Sequence, residues 1–273
     1  MKTTKNETNL VTFKGSIKKE KSLLKTFFKF MLIAPLFFSL TVMAGCNMEN
    51  DNNKQQAAKD DPKNKDYVTQ TKASQAAMSP DEALMMLKEG NDRFVNQKMY
   101  KRDLIDQVKK TEDGQYPFAA VVSCIDSRIP TEIVFDQGVG DIFNARIAGN
   151  FVNQDILGSL EFATKVAGSK TIVVMGHTSC GAVKGAADNV ELGNLTAMLK
   201  HLEPAVEAAS DVSGEKNSQN AEYVQKISDK NVELTIEKML ADSDVIREMH
   251  ENGEITIVGA MYDVESGKVT FME

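Results

Sequence analysis

Two apolar, β-branched runs each lead straight into a short polar motif that carries a thiol. Phe118 to Val122 precedes Cys124-Ile125-Asp126-Ser127-Arg128, and Thr171 to Met175 precedes His177-Thr178-Ser179-Cys180-Gly181. Runs that are apolar throughout, rather than alternating, predict strands buried on both faces, as in a parallel sheet. The small residues from Gly181 to Ala186 let a helix start close against that sheet. Both motifs then fall at carboxyl ends of parallel strands, where open α/β sheets bind their ligands. Two thiols and an imidazole converging there make a three-ligand zinc set with one open position, the arrangement of catalytic sites. The bland alternative is that Cys124 and Cys180 are buried small hydrophobes, the common fate of a free cysteine. Cys-x-x-Cys pairs are absent, which argues against an ordinary zinc ribbon.

Asp126 and Arg128 add a second element. If the backbone stays extended past the first strand, a period of two puts Cys124, Asp126 and Arg128 on one side. An arginine beside the aspartate keeps the carboxylate ionised and orients it through paired hydrogen bonds. A carboxylate fixed beside a metal-bound water accepts that water's proton and leaves a lone pair pointing outward. The alternative is a surface ion pair of little consequence.

The remaining pattern predicts one α/β domain over 79–273. Ser79-Pro80-Asp81-Glu82 forms a capping box with proline at the first helical position, and Ala83, Leu84, Leu87 and Phe94 give its helix an apolar face. A second amphipathic segment spans Leu104 to Val108. A short helix is expected over Glu132 to Gln137 and a strand over Ile142 to Ile147. A helix over Leu157 to Val166 is expected to turn Leu160 and Phe162 inward. Leu192 to Ala209 is helical with a break at Pro204, and Asp211 to Asn220 is a loop. Val232 to Met249 is helical, and Ile255 to Tyr262 is a strand joined by Glu265-Ser266-Gly267-Lys268 to an edge strand at Val269 to Phe271. Alternating strands and helices give a mostly parallel central sheet flanked by helices, with a C-terminal edge hairpin and an N-terminal helical arm.

Residues 1–45 read as an export signal. Six lysines from Lys14 to Lys29 precede an apolar run, Phe30 to Ala44, that ends at Met43-Ala44-Gly45-Cys46. That run is shorter than the ~20 residues of a membrane span and suits a signal-peptide core. Small residues before Cys46 resemble the bacterial lipoprotein signal, in which this cysteine becomes the lipidated N-terminus. The chain is then exported and held at a bacterial membrane, periplasmic or at the cell surface, by acyl chains. Residues 46–78 are polar and read as a flexible tether. Eight lysines and two glutamates in residues 1–45 contribute +6 to a net charge of −7, leaving −13 for the rest. An acidic domain without a basic stripe argues against nucleic acid as a partner, while leaving room for local patches. Three cysteines in all cannot build a disulfide framework.

The motif pair C-x-D-S-R and H-x-x-C-G resembles that of the beta-class carbonic anhydrases. The likeness extends to Gln115-Tyr116-Pro117, Arg146-Ile147-Ala148-Gly149-Asn150, Ser159-Leu160-Glu161-Phe162-Ala163, Gly176-His177 and Val258-Gly259-Ala260-Met261-Tyr262-Asp263. The resemblance implies reversible hydration of carbon dioxide to bicarbonate and a proton. Cys124, His177 and Cys180 would bind one zinc per chain, and Asp126 with Arg128 would orient zinc-bound hydroxide. Gln115 and Gly181 would help hold substrate, and Phe143 and Phe162 would line an apolar pocket partly across a dimer interface. A homodimer or higher even oligomer is implied. Val121 stands where the bicarbonate-inhibited subgroup carries tryptophan, although Arg146 is present, and Phe162 stands where many relatives have tyrosine. The rivals are a zinc hydrolase of carbonyl sulfide or carbon disulfide on the same fold, and a non-enzymatic zinc-binding protein.

Overall fold

Five strands, β1 (Ala119–Ser123), β2 (Ile142–Arg146), β3 (Thr171–His177), β4 (Thr256–Tyr262) and β5 (Val269–Phe271), pair in the spatial order β2-β1-β3-β4-β5. The first four are parallel, and β5 returns antiparallel to β4. This computed structural model describes residues 67–272. The helices are α1 (Lys72–Ala77), α2 (Pro80–Val95), α3 (Leu104–Lys110), α4 (Thr131–Val134), α5 (Gln154–Glu161), α6 (Gly181–Ala187), α7 (Gly193–Leu199), α8 (Glu203–Ala208), α9 (Ala221–Asp242) and α10 (Asp244–Glu251). Among the described residues no helix is long and apolar enough to cross a membrane.

The central strands β1 and β3 are buried on both faces, which is why they read as unbroken apolar runs. Ala119, Val121, Val173 and Met175 pack with Ala83 and Leu87 of α2 and with Val224 and Ile227 of α9. Ala120, Val122, Ile172 and Val174 face the other way, onto Val232 and Met239 of α9 and Ile246 of α10. Each fully buried valine contributes about 1.5–3 kcal/mol. The capping box at Ser79 and Glu82 starts α2. Further along α2, Gly90 lies so close to the turn after α4 that a Cβ there would meet Phe135 O at 1.9 Å. Next to it, buried Asn91 donates to Val134 O and Gly267 O and accepts from the Val269 amide. One side chain thereby ties α4 to the β4–β5 turn.

Several expectations are corrected. Residues 67–78, expected to belong to the tether, are folded. Thr71 and Ser74 form a capping box for α1, and Gln75 Nε2 donates to Pro117 O at 2.7 Å and Ala167 O at 2.8 Å. The expected signal segment, the tether up to residue 66 and Cys46 lie outside the described residues. Phe162 is half-exposed rather than inward. It follows Leu160 by two residues, about 200° around a helix, so both cannot face the core. Leu160 does, and α5 then widens into a π turn over Phe162–Val166, closed by Ala167 N–H to Phe162 O at 2.9 Å. The break before α8 is a 3₁₀ turn at Lys200–Leu202, and Pro204 sits in the first turn of the next helix. α9 begins at Ala221, capped by Asn220, eleven residues before the expected helical stretch. α3 presents Leu104, Ile105 and Val108 outward.

Candidate metal centre

The chain runs from β1 to β2 on one side and later to β3 on the other. The boundary between β1 and β3 is therefore the point where strand order reverses, the place for a ligand crevice in such sheets. Cys124 lies one residue past β1, His177 is the last residue of β3, and Cys180 is the N-cap of α6. The turn from His177 to Cys180 passes through Ser179 in the left-handed region, φ +56°. A non-glycine residue there costs roughly 1–3 kcal/mol, a strain the surrounding fold sustains at the site.

The ligand atoms of Cys124, His177 and Cys180 all lie within 4.8 Å of one another, and all three residues are buried. His177 Nδ1 lies 2.9 Å from Thr178 O. A carbonyl only accepts, so Nδ1 carries the proton and Nε2 keeps its lone pair. Nε2 is buried and without a hydrogen-bond partner among the described residues. An orphaned imidazole nitrogen beside two sulfurs is the donor set zinc takes. The residues fit the ion.

Of the two thiols, Cys124 is held well below the ordinary thiol range, first by its hydrogen bond with Cys180 and then, against its burial, by His177 and the Gly149 amide. Cys180 is pushed up by the same hydrogen bond and by its own burial. The Gly149 N–H reaches Cys124 Sγ at 3.5 Å, and buried Asn231 of α9 donates to Gly149 O at 2.7 Å. Gly149 has φ +84°, which glycine adopts freely.

Asp126 receives three donors from Arg128. The Arg128 amide and Nε reach Oδ1 at 3.0 and 2.9 Å, and Nη2 reaches Oδ2 at 2.7 Å. This guanidinium holds the Asp126 carboxyl well below the usual carboxylate range. Asp126 Oδ2 lies 3.9 Å from His177 Nε2, so the carboxylate borders the ligand cluster.

Among the other candidates, Gly181 directly follows Cys180, whereas Phe143 and Phe162 lie away from the cluster within this chain. Phe143 is paired in register with Ala120, four residues before Cys124. That separation is about 13 Å of strand. Its ring packs edge-on against Phe162 at 6.2 Å. Gln115 is exposed in the segment before β1. Gly181 is exposed at the head of α6, with nothing within 4 Å of where its Cβ would stand. Sequence reading did not find the contacts of Gly149, Asn231 or Tyr262, whose hydroxyl donates to Arg128 O at 3.4 Å. Arg146 is a further case: it donates to Cys124 O and Asp126 O. A charged residue closing the strand that pairs beside β1 was the available signal for it.

The sequence profile described as carbonic anhydrase matches residues 119–269. Carbonic anhydrase 2 of Mycobacterium tuberculosis is 34% identical over 198 residues, covering 71% of this chain and 94% of that protein. The structure of the β-carbonic anhydrase CafA of Aspergillus fumigatus superposes with a TM-score of 0.55 at 27% identity, over 71% of this chain and 90% of that one. A chain from the crystal structures of two tetrameric β-carbonic anhydrases of Sordaria macrospora gives a TM-score of 0.54 at 27% identity, over 60% of this chain and 84% of that one. With the profile spanning the sheet and its motifs, and relatives matched over nearly their whole length, this chain belongs to the beta-carbonic anhydrase family.

Proposed function

We propose that this chain catalyses the reversible hydration of carbon dioxide to bicarbonate and a proton, with one zinc ion held by Cys124, His177 and Cys180. What most supports this is the convergence of three buried donor atoms within 4.8 Å beside an ion-paired carboxylate. Zinc in such a set supplies Lewis acidity that brings the ionisation of water toward the physiological range. The protein's own part is orientation. His177 is fixed by Thr178 O so that Nε2 faces the donor cluster. Arg128 fixes the Asp126 carboxylate, which accepts a proton in a hydrogen bond and so directs a water lone pair toward the substrate. Arg128 is the only cation in contact with that carboxylate among the described residues, and its fork leaves Asp126 one orientation.

Phe143, Phe162 and Gln115 are read as lining a substrate pocket completed by a second copy of the chain. The distance of Phe143, with Phe162 packed on it, from the triad of their own chain and the exposure of Phe162 and Gln115 favour this. A homodimer or higher even oligomer follows. The basic segment, apolar run and Cys46 favour export and attachment to a bacterial membrane by a lipid.

The test is stopped-flow carbon dioxide hydration on the full chain, with zinc per chain measured on the same sample, for wild type and Asp126→Asn. About one zinc per chain with fast hydration, largely lost in the variant, is expected. Zinc binding without hydration across the alkaline range would overturn the proposed reaction.

A further inference from the structure

The backbone ladder between β1 and β2 ends with Ser123 paired to Arg146 and with the Ile147 amide on Ser123 O at 3.0 Å. Beyond that point β2 supplies no more backbone. The next two alternate carbonyls of the first chain segment are nevertheless taken. Arg146 Nε donates to Cys124 O at 2.9 Å, and Arg146 Nη2 donates to Asp126 O at 2.6 Å. In an extended chain carbonyls two residues apart point the same way, and residues 124–126 run straight on from β1 with no helix or turn between them. One planar guanidinium, with its donors in a fixed fork, thus continues the ladder by side chain where the main chain has stopped.

From this we infer that Arg146 is a positioning residue for the proposed reaction: it holds Cys124–Asp126 extended, so that the Cys124 sulfur and the Asp126 carboxylate project to the same side. This rests on the function proposed above. The two residues it ties have different duties, one as a donor to the metal and one as the partner of Arg128. A single contact therefore sets the spacing between them. Arg146 touches neither sulfur nor carboxylate, and its effect passes through the backbone. On the opposite flank Tyr262 OH meets Arg128 O, so the loop is held from β2 and β4 together.

The experiment is a double-mutant cycle on the full chain. Arg146→Met keeps the aliphatic stem and removes the donors, and Arg146→Lys keeps the charge but can reach only one carbonyl at a time. Zinc affinity is read by competition with a chromophoric chelator, and kcat and KM by carbon dioxide hydration. Thermal midpoints show which variants fold. Arg146→Met is expected to lose on the order of 10- to 100-fold in zinc affinity or in kcat, as for other outer contacts of metal ligands, with KM little changed. Arg146→Lys should recover part of that loss. In an Asp126→Asn background, Arg146→Met should lower kcat by less than about threefold more, because the group it positions is already gone. Wild-type zinc affinity and kcat in folded Arg146→Met, or an equal loss of kcat in both backgrounds, would overturn the inference. The zinc measurement needs no turnover, so a wild type that binds zinc but does not hydrate carbon dioxide sinks the proposed reaction while the affinity still decides the role of Arg146.

Discussion

Arg128 grips both carboxylate oxygens of Asp126 while one of them, Oδ2, stays 3.9 Å from His177 Nε2. The ion pair is local in sequence, two residues apart, yet it is turned toward a donor cluster assembled from two strands. A free aspartate beside two sulfurs and an imidazole nitrogen could itself reach a metal. Here the guanidinium occupies both oxygens.

Replacing Arg128 by lysine should therefore cost activity without costing the metal. An ammonium keeps the charge but cannot hold two oxygens in one plane. Hydration is expected to fall on the order of 10²-fold, the low end for a displaced proton-transfer group. Zinc per chain should stay near one. Hydration assays paired with metal analysis check this, and an unchanged rate would contradict it.

The pH dependence follows from the donor set and from Asp126. The folded-state pKa of Asp126 is depressed by Arg128. Its ion pair is then fully present above the unfolded value of about 3.9 and is lost only as pH falls through the lower folded value. Titration of this carboxylate thus contributes no limb in the neutral range. Two thiolate ligands make zinc a weaker Lewis acid than three imidazoles would, so activity should rise on the alkaline side. A pH–rate profile flat down to mildly acidic pH would be the wrong result.

Gly90→Ala should destabilise the fold far from the chemistry. The added Cβ would stand 1.9 Å from Phe135 O, a backbone atom that cannot swing aside. Forcing α2 away costs about 1–3 kcal/mol. Urea denaturation would show it as a lower midpoint. A neutral result would mean that α2 and the turn after α4 are less tightly joined than the hydrogen bonds of Asn91 indicate.

Asp141 offers a pH test of stability. It is buried; its Oδ2 accepts from the Gly138 amide at 2.5 Å, and its Oδ1 has no partner among the described residues. Burial pushes its carboxyl up, against the Gly138 amide and Arg102. A raised folded-state pKa means stability that is fully present below the unfolded value and is lost as pH rises through the folded one. Asparagine does not titrate. The melting temperature of Asp141→Asn minus that of wild type should therefore grow from pH 4 to pH 8, at about 2–4 °C per kcal/mol. A difference that shrinks would reverse the sign assigned to Asp141.

The parts of this fold legible in the sequence are those in which one residue type does one local job. Phe118 to Val122 and Thr171 to Met175 announce buried strands because nothing polar interrupts them, and Ser79 with Glu82 announces a helix start. α1 was hidden because it docks through Gln75, a polar side chain whose two carbonyl partners lie 42 and 92 residues away. The first half of α9 was hidden because its buried face includes Ser228 and Asn231 beside Val224 and Ile227. At the site, Cys124, His177 and Cys180 were visible as chemistry at strand ends. The hold of Arg146 on two carbonyls was not, because it depends on where β2 stops relative to β1.

The three donors share one further property. They come from the residue just past β1, from the end of β3, its neighbour in the middle of the sheet, whose seven residues are all buried, and from the turn that leaves β3. Among the described residues, neither an edge strand nor the N-terminal arm supplies any of them. A chain that frays at its rim, losing β5 or α1, keeps the whole donor set, whereas parting β1 from β3 takes apart the metal cradle and the centre of the sheet in one event. If the proposed zinc ion is held by these donors, its retention gauges the innermost hydrogen-bonded layer, and its loss would report collapse of the core rather than loosening of the periphery.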